Sequence, residues 1–310
     1  MVFDLDATLA DLSSVYYFLA VLTQHKPLQK NQFLIEPLDP MMPKAYDYFV
    51  QRIVQEETET RLGLLRPGIL EMMGALYRLK KEQKIQGVLI YSNNSHLESV
   101  YFVRDVIHVH YPRLISDCIH WMHPKRNTDR IAYNQSNGRI SKTWATLKDI
   151  MINGPTKASP FLEPSEVHFF DDLMHRDLKR ALDKTYHQIE PYVFKASFDR
   201  LAHLFLSSLS YAEVNMYELE NNLVEMYPDV RNPFIFQNFN KGNTTRIEDI
   251  LDLFYHYGGE VHTRLPPLDS LEIAEVILEV EQTNKKGGKY KKKKKKSYTY
   301  KLHRKTIRRL

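Results

Sequence analysis

The sequence predicts an α/β protein built on a parallel sheet, with a mostly helical insertion after the first strand and an extension beyond the last. Three observations carry that reading. Three short apolar runs, Met1 to Phe3, Val88 to Tyr91 and Val167 to Phe170, have the near-continuous hydrophobicity of strands buried on both faces. Each run stops at polar residues able to do chemistry: Asp4 and Asp6, then Ser92 and Asn93, then Asp171 and Asp172. The stretches between the runs repeat apolar residues at helical spacing, as expected where crossovers join parallel strands.

The first strand ends at Asp4. Open α/β folds collect ligands at the carboxyl ends of their strands, and Asp4 and Asp6 can converge there if the chain turns just past the strand. Two such acids can divide the labour, one attacking or holding a metal while the other moves a proton. Residues 11–24 read as an apolar helix, followed by a loop broken at Pro27, Pro37, Pro40 and Pro43. A second helix over 44–61 buries Tyr48, Phe49, Ile53 and Val54, so residues 10–64 form a helical insertion beside the site. Arg66-Pro67-Gly68 opens a helix to about Gln83, its buried stripe made by Ile69, Met72, Met73, Leu76 and Leu79. Gly87 ends that connection and the second strand follows.

Beyond Ser92 the sequence predicts a helix over 96–109, a strand over 118–122, and a hairpin turning at Asn137-Gly138 between 130–133 and 139–141. Ser141 is the expected cap of a helix through Ile152, placing Lys142 at its start. The third strand leads into a helix over 173–184. Residues 200–283 contain helical stretches, at 198–209 and 268–281, without a chemical motif. No internal repeat is evident.

Composition narrows the function classes. The single cysteine, Cys118, excludes an intramolecular disulfide and a cysteine-rich zinc site, and the 13 histidines show no HExxH spacing. No apolar run reaches bilayer length and no signal-like segment precedes the first strand, which predicts a soluble intracellular protein, cytoplasmic or nuclear. The net charge of +5 hides a division: residues 285–310 hold 14 of the 43 Lys and Arg and no acid, leaving 29 basic against 38 acidic residues in the rest, a charge of −9. The unbroken run Lys291 to Lys296 repels itself and predicts a disordered tail. It reads as a solubilising end, as a nonspecific nucleic-acid binder with Tyr290, Tyr298 and Tyr300 able to stack on bases, or as a nuclear-import signal.

The array Asp4-x-Asp6-x-Thr8, then Ser92, then Lys142, then Asp171-Asp172 resembles, in order and chemistry, the four motifs of haloacid dehalogenase-like phosphatases. Arg66-Pro67-Gly68, a helix and then Val88 to Ser92 is similar to the branch containing the phosphatases of the RNA polymerase II C-terminal domain. The resemblance covers about residues 1–195. It implies a three-layer Rossmann-like sheet, a catalytic domain over 1–199, and a phosphomonoester substrate on a protein, nucleotide or small molecule. It also implies Mg2+ held by Asp4, Asp171, Asp172 and the backbone carbonyl of Asp6. Asp4 would be the nucleophile that forms an aspartyl-phosphate, and Asp6 the acid and then the base. Ser92 and the Asn93 N–H would hold phosphoryl oxygens, Thr8 would brace the first loop, and Lys142, with Lys148 as competitor, would supply a cation. A carboxylate attacks an anionic ester only where cations neutralise the phosphoryl oxygens, which is why acids, a lysine and a divalent metal belong together. The alternatives from the same residues are a nucleic-acid end phosphatase and a noncatalytic nucleic-acid-binding protein. The Lys-rich ending also resembles those of proteins from large DNA viruses.

Overall fold

The computed structural model describes residues 1–23, 41–217 and 219. The stretch at 268–281 and the basic tail lie outside the described residues. Five strands, β1 (Val2–Phe3), β2 (Val88–Tyr91), β3 (Ile115–Ile119), β4 (Phe169–Asp171) and β5 (Tyr186–Gln188), form one sheet in the order β3-β2-β1-β4-β5. Every neighbouring pair is parallel. The chain lays down β2 and β3 on one side of β1 and then crosses to the other side for β4 and β5. The strand order therefore reverses between β1 and β4, the place where open α/β sheets leave a crevice.

Register fixes what lines that crevice. Phe3 stands opposite Ile90 on one side and Phe170 on the other. One residue further, the Asp4 N–H donates to the Phe170 carbonyl at 2.8 Å, so Asp4 and Asp171 leave the sheet at the same level.

The strands are apolar throughout because both faces are covered. Phe3, Ile90, Cys118 and Phe170 point into one apolar cluster, shared with helices α1 (Tyr16–Thr23), α2 (Met42–Glu59), α3 (Ile69–Lys81), α4 (Leu97–His110) and α8 (Phe198–Ala212). Val2, Leu89, Tyr91, Ile119 and Phe169 point into the other, with α6 (Trp144–Asn153) and α7 (Arg176–Leu182). Helix α5 (Asn127–Gln135) belongs to neither cluster. Among the described residues no helix is long and apolar enough to cross a membrane.

The excursion after β1 returns to its starting point. Ala10 bridges Leu65 in antiparallel fashion, the Asp11 N–H donates to the Leu64 carbonyl at 2.9 Å, and the Arg66 N–H donates to the Leu9 carbonyl at 2.8 Å. Within the excursion, Phe18 of α1 packs between Phe198 and Phe205 of α8 at centroid distances of 5.2 Å, and Tyr48 of α2 stacks on Tyr211 at 4.1 Å. Helix α8 buries Phe198, Leu201, Leu204, Phe205 and Leu209 at helical spacing. It covers the insertion and spans the 199/200 boundary drawn from the sequence.

Three sequence expectations need correction, and one strand was not read. Asn137-Gly138 is not a hairpin: both residues have positive φ, 50° and 83°, but they stop helix α5. The Gly138 N–H donates back to the Tyr133 carbonyl at 2.8 Å, a helix-terminating bond that needs the same left-handed backbone as a tight hairpin turn. The strand expected over 118–122 is β3, Ile115–Ile119, because its pairing partner β2 carries it from Val88↔Ile115 to Tyr91↔Ile119. Helix α6 is capped by Thr143, whose hydroxyl accepts from the Thr146 N–H at 3.3 Å, not by Ser141. Lys142 therefore precedes the cap. Strand β5 had no apolar run to announce it, since only Tyr186 of Tyr186-His187-Gln188 is fully buried.

Candidate active site

Lys142 is the pivot of the crevice. Its ammonium donates to Asp4 Oδ1 at 2.6 Å and to Asp171 Oδ2 at 2.7 Å, and lies over the rings of Tyr91 and Phe169 at 5.9 and 5.4 Å from their centroids. All three charged groups are buried, Lys142 at 1 % exposure, Asp4 at 6 % and Asp171 at 0 %. Lys148 sits half-buried on α6 and makes no ion pair with these acids, so the lysine at the carboxylates is Lys142.

The charges do not balance, and the protonation equilibria record it. Burial pushes the Asp4 carboxyl up to about 7; Lys142 pulls against that rise and Asp171 adds to it. Burial acts upward on Asp171 as well, but Lys142 and His175 outweigh it and hold the carboxyl below its usual range. Burial would lower the Lys142 ammonium, yet Asp171 and Asp4 together raise it. His175 Nε2 lies 3.2 Å from Asp171 Oδ2, close enough for an ion pair although not aligned as a hydrogen bond.

Thr8 ties the first loop to the paired acids. Its hydroxyl accepts from the Asp172 N–H at 3.1 Å and reaches Asp172 Oδ1 at 3.4 Å. Burial and the neighbouring charge of Asp171 raise the Asp172 carboxyl. One oxygen each of Asp4, Asp171 and Asp172 lie within 4.8 Å of one another. That span is close to the roughly 4 Å across an octahedral Mg2+ shell, and carboxylate oxygens are the hard donors that such a cation takes. These three acids could hold a metal ion.

Asp6 stands exposed at the mouth, where the Asn94 amide donates to both of its oxygens at 3.1 Å. The protein crowded around it raises its carboxyl, with the Asn94 amide and the Ser92 hydroxyl working in the opposite direction. Ser92 is fully buried and its hydroxyl accepts from the Asn94 N–H at 3.0 Å. The Asn93 amide donates to Ser141 Oγ at 3.0 Å, so the loop after β2 and the segment carrying Lys142 are joined directly.

The loop after β1 is held by Arg66. Its guanidinium donates to the carbonyls of Thr8 at 2.8 Å, Ala7 at 2.8 Å and Glu190 at 2.5 Å. Gly68, with φ of 81°, then turns the chain into α3 in a conformation that costs glycine little. The Arg-Pro-Gly sequence thus couples the return of the insertion to the loop that presents Asp4 and Asp6.

Sequence reasoning missed a second buried network just behind the first. Arg126 and Asp129 have no exposed surface. The Arg126 guanidinium donates to Asp129 Oδ2 at 2.9 Å, Asn93 Oδ1 at 2.8 Å, the Ser141 carbonyl at 2.6 Å and the Ser92 carbonyl. Its plane lies 4.5 Å from the Tyr91 ring and 4.9 Å from that of Trp121. Asp129 also accepts from the Tyr91 hydroxyl and from the N–H and hydroxyl of Thr143, at 3.1 and 2.7 Å. An Arg-x-x-Asp pair at a helix start reads as a solvated surface pair, so nothing in the sequence marks it as buried.

The arrangement offers a buried carboxylate beside a fixed cation, two further acids for a metal, and a fourth acid at the mouth. Comparison of the chain with protein-family models, curated proteins and solved structures finds no match to any of them.

Proposed function

We propose that the chain is a Mg2+-dependent phosphatase that hydrolyses a phosphomonoester through an aspartyl-phosphate on Asp4, with a haloacid dehalogenase-like, Rossmann-like fold. The observation that carries the reading is Lys142 bridging Asp4 and Asp171, with Asp172 beside them, at the switch point of a parallel sheet.

Asp4, Asp171 and Asp172 would hold the metal, which when bound supplies positive charge for the phosphoryl oxygens. The remaining steps belong to side chains. Asp4 Oδ1 is fixed by Lys142, which limits the rotation of the carboxylate and leaves its other oxygen to attack phosphorus. The P–O bond to the leaving group breaks as the Asp4–P bond forms. Asp6, whose carboxyl is raised chiefly by burial, gives a proton to the departing oxygen. It then takes a proton from the water that attacks the aspartyl-phosphate, which frees Asp4 and releases phosphate. Lys142 stays charged throughout, because its two carboxylates raise its pKa, and offsets the negative charge gathered around phosphorus. Ser92 and Asn93, held by Arg126, line the side where phosphoryl oxygens would sit.

The test is hydrolysis of para-nitrophenyl phosphate by the full chain with Mg2+, against Asp4→Asn and EDTA-treated protein. Turnover lost in both controls supports the mechanism; turnover that persists in Asp4→Asn sinks it.

A further inference from the structure

A cavity of about 450 Å³ opens beside the active site, with Arg139, Arg176 and Arg180 in its wall. All three side chains are exposed, and among the described residues none of them makes an ion pair, hydrogen bond or ring contact. Asp177 is the one carboxylate in the wall, and it is occupied in accepting the Trp144 N–H at 2.9 Å. Three unpaired arginines against one carboxylate thus line a single concave surface.

Two segments of the cavity wall lead directly into the active site. Arg139 lies three residues before Lys142, a reach of about 10 Å at most. Arg176 directly follows His175, which contacts Asp171. The two segments are pinned to each other, since Ser141 Oγ lies 3.3 Å from His175 Nδ1. The two wall segments thus connect the cavity to the residues that carry Lys142 and Asp171.

We propose that this cavity binds a second phosphate of the substrate, so that the preferred substrates are small organic bisphosphates. Guanidinium forks match phosphate oxygens in pairs, and a lone arginine on a surface gains much less than a set aimed at one group. The volume lies in the range of small-molecule pockets, which suits a compact ligand rather than a long polyanion. The proposal rests on the phosphatase reading and adds the identity of the substrate class.

The experiment compares kcat/KM for fructose 1,6-bisphosphate and para-nitrophenyl phosphate in wild type and in the Arg139→Gln/Arg180→Gln double variant. The bisphosphate-to-aryl ratio is expected to fall at least tenfold in the double variant, chiefly through KM. An unchanged ratio overturns the subsite. A larger preference for a 5′-phosphorylated oligonucleotide than for the bisphosphate, lost in the same variant, overturns the small-molecule assignment. If folded wild type hydrolyses nothing, the phosphatase reading has failed on its own. Calorimetric titration with fructose 1,6-bisphosphate then decides the subsite separately, since equal affinity of wild type and double variant, or no binding by either, overturns it.

Discussion

Two buried charge networks meet at the carboxyl edge of this sheet, and they are built on opposite principles. In the Arg126–Asp129 network one cation faces one carboxylate, and the guanidinium makes four hydrogen bonds between strand ends and helix starts. In the Lys142 network one cation faces two buried carboxylates, with Asp172 and Asp6 close by. A buried charge is stable only when paired and hydrogen-bonded. The first network satisfies that condition by itself and serves as scaffold. The second is short of positive charge, as the proposed cation site requires. Adjacent networks of the same depth can thus be told apart by their charge balance.

Removing the nucleophile is the most severe way to test that contrast. Asp4→Asn should lower kcat on an aryl phosphate by at least about 10³-fold without lowering the melting temperature, because it deletes a carboxylate that the fold under-compensates. A variant that unfolds instead would place Asp4 among the scaffold groups.

Arg126→Met and Lys142→Met should each destabilise the protein by about 3–5 kcal/mol, since each strands buried carboxylates. They should differ in rescue: millimolar Mg2+ restores part of the loss in Lys142→Met and none in Arg126→Met, as read in urea melts. Equal responses would erase the distinction between the networks.

Mg2+ should also stabilise the wild type, by about 2.7 kcal/mol at a hundred times its Kd. Thermal melts of Asp171→Asn should show no such gain. A shift that survives in Asp171→Asn would move the metal elsewhere.

The smallest effect concerns acid. Burial, reinforced by His123, Arg126 and Arg130, lowers the His120 imidazole to about 4. The unfolded imidazole titrates near 6.5, so between those values the unfolded chain binds the extra proton. The contribution is complete above pH 6.5 and lost as pH falls towards 4. His120→Gln should flatten the stability-pH slope in that window and leave the slope at higher pH unchanged.

How far the sequence was legible follows from the kind of signal each element carries. Strands β1, β2 and β4 are central, buried on both faces, and wrote themselves as apolar runs. Asp4, Ser92 and Asp171 were legible because they end those runs. Edge strand β5 buries one side chain fully and left no run to read. Asn137-Gly138 misled because positive φ serves a hairpin and a helix end equally well, and the residues before it decide which. Arg126 and Asp129 were invisible for a different reason: their role depends on Tyr91, Trp121 and Thr143, which only folding brings around them. His175 likewise reaches Asp171 only once helix α7 is in place.

The pairing of Ala10 with Leu65 makes the intervening excursion a removable part, since closing a longer or shorter loop between fixed ends costs only about 0.6 kcal/mol per doubling of length. The catalytic loop, tied down by Arg66, would feel little of such an exchange. Helix α8 would feel all of it, because its aromatic face rests on Phe18 and Tyr48. The unit of transplantation, in evolution or in the laboratory, is therefore discontinuous: residues 10–64 travel with α8, and a chimera that moves one without the other exposes two halves of a single core.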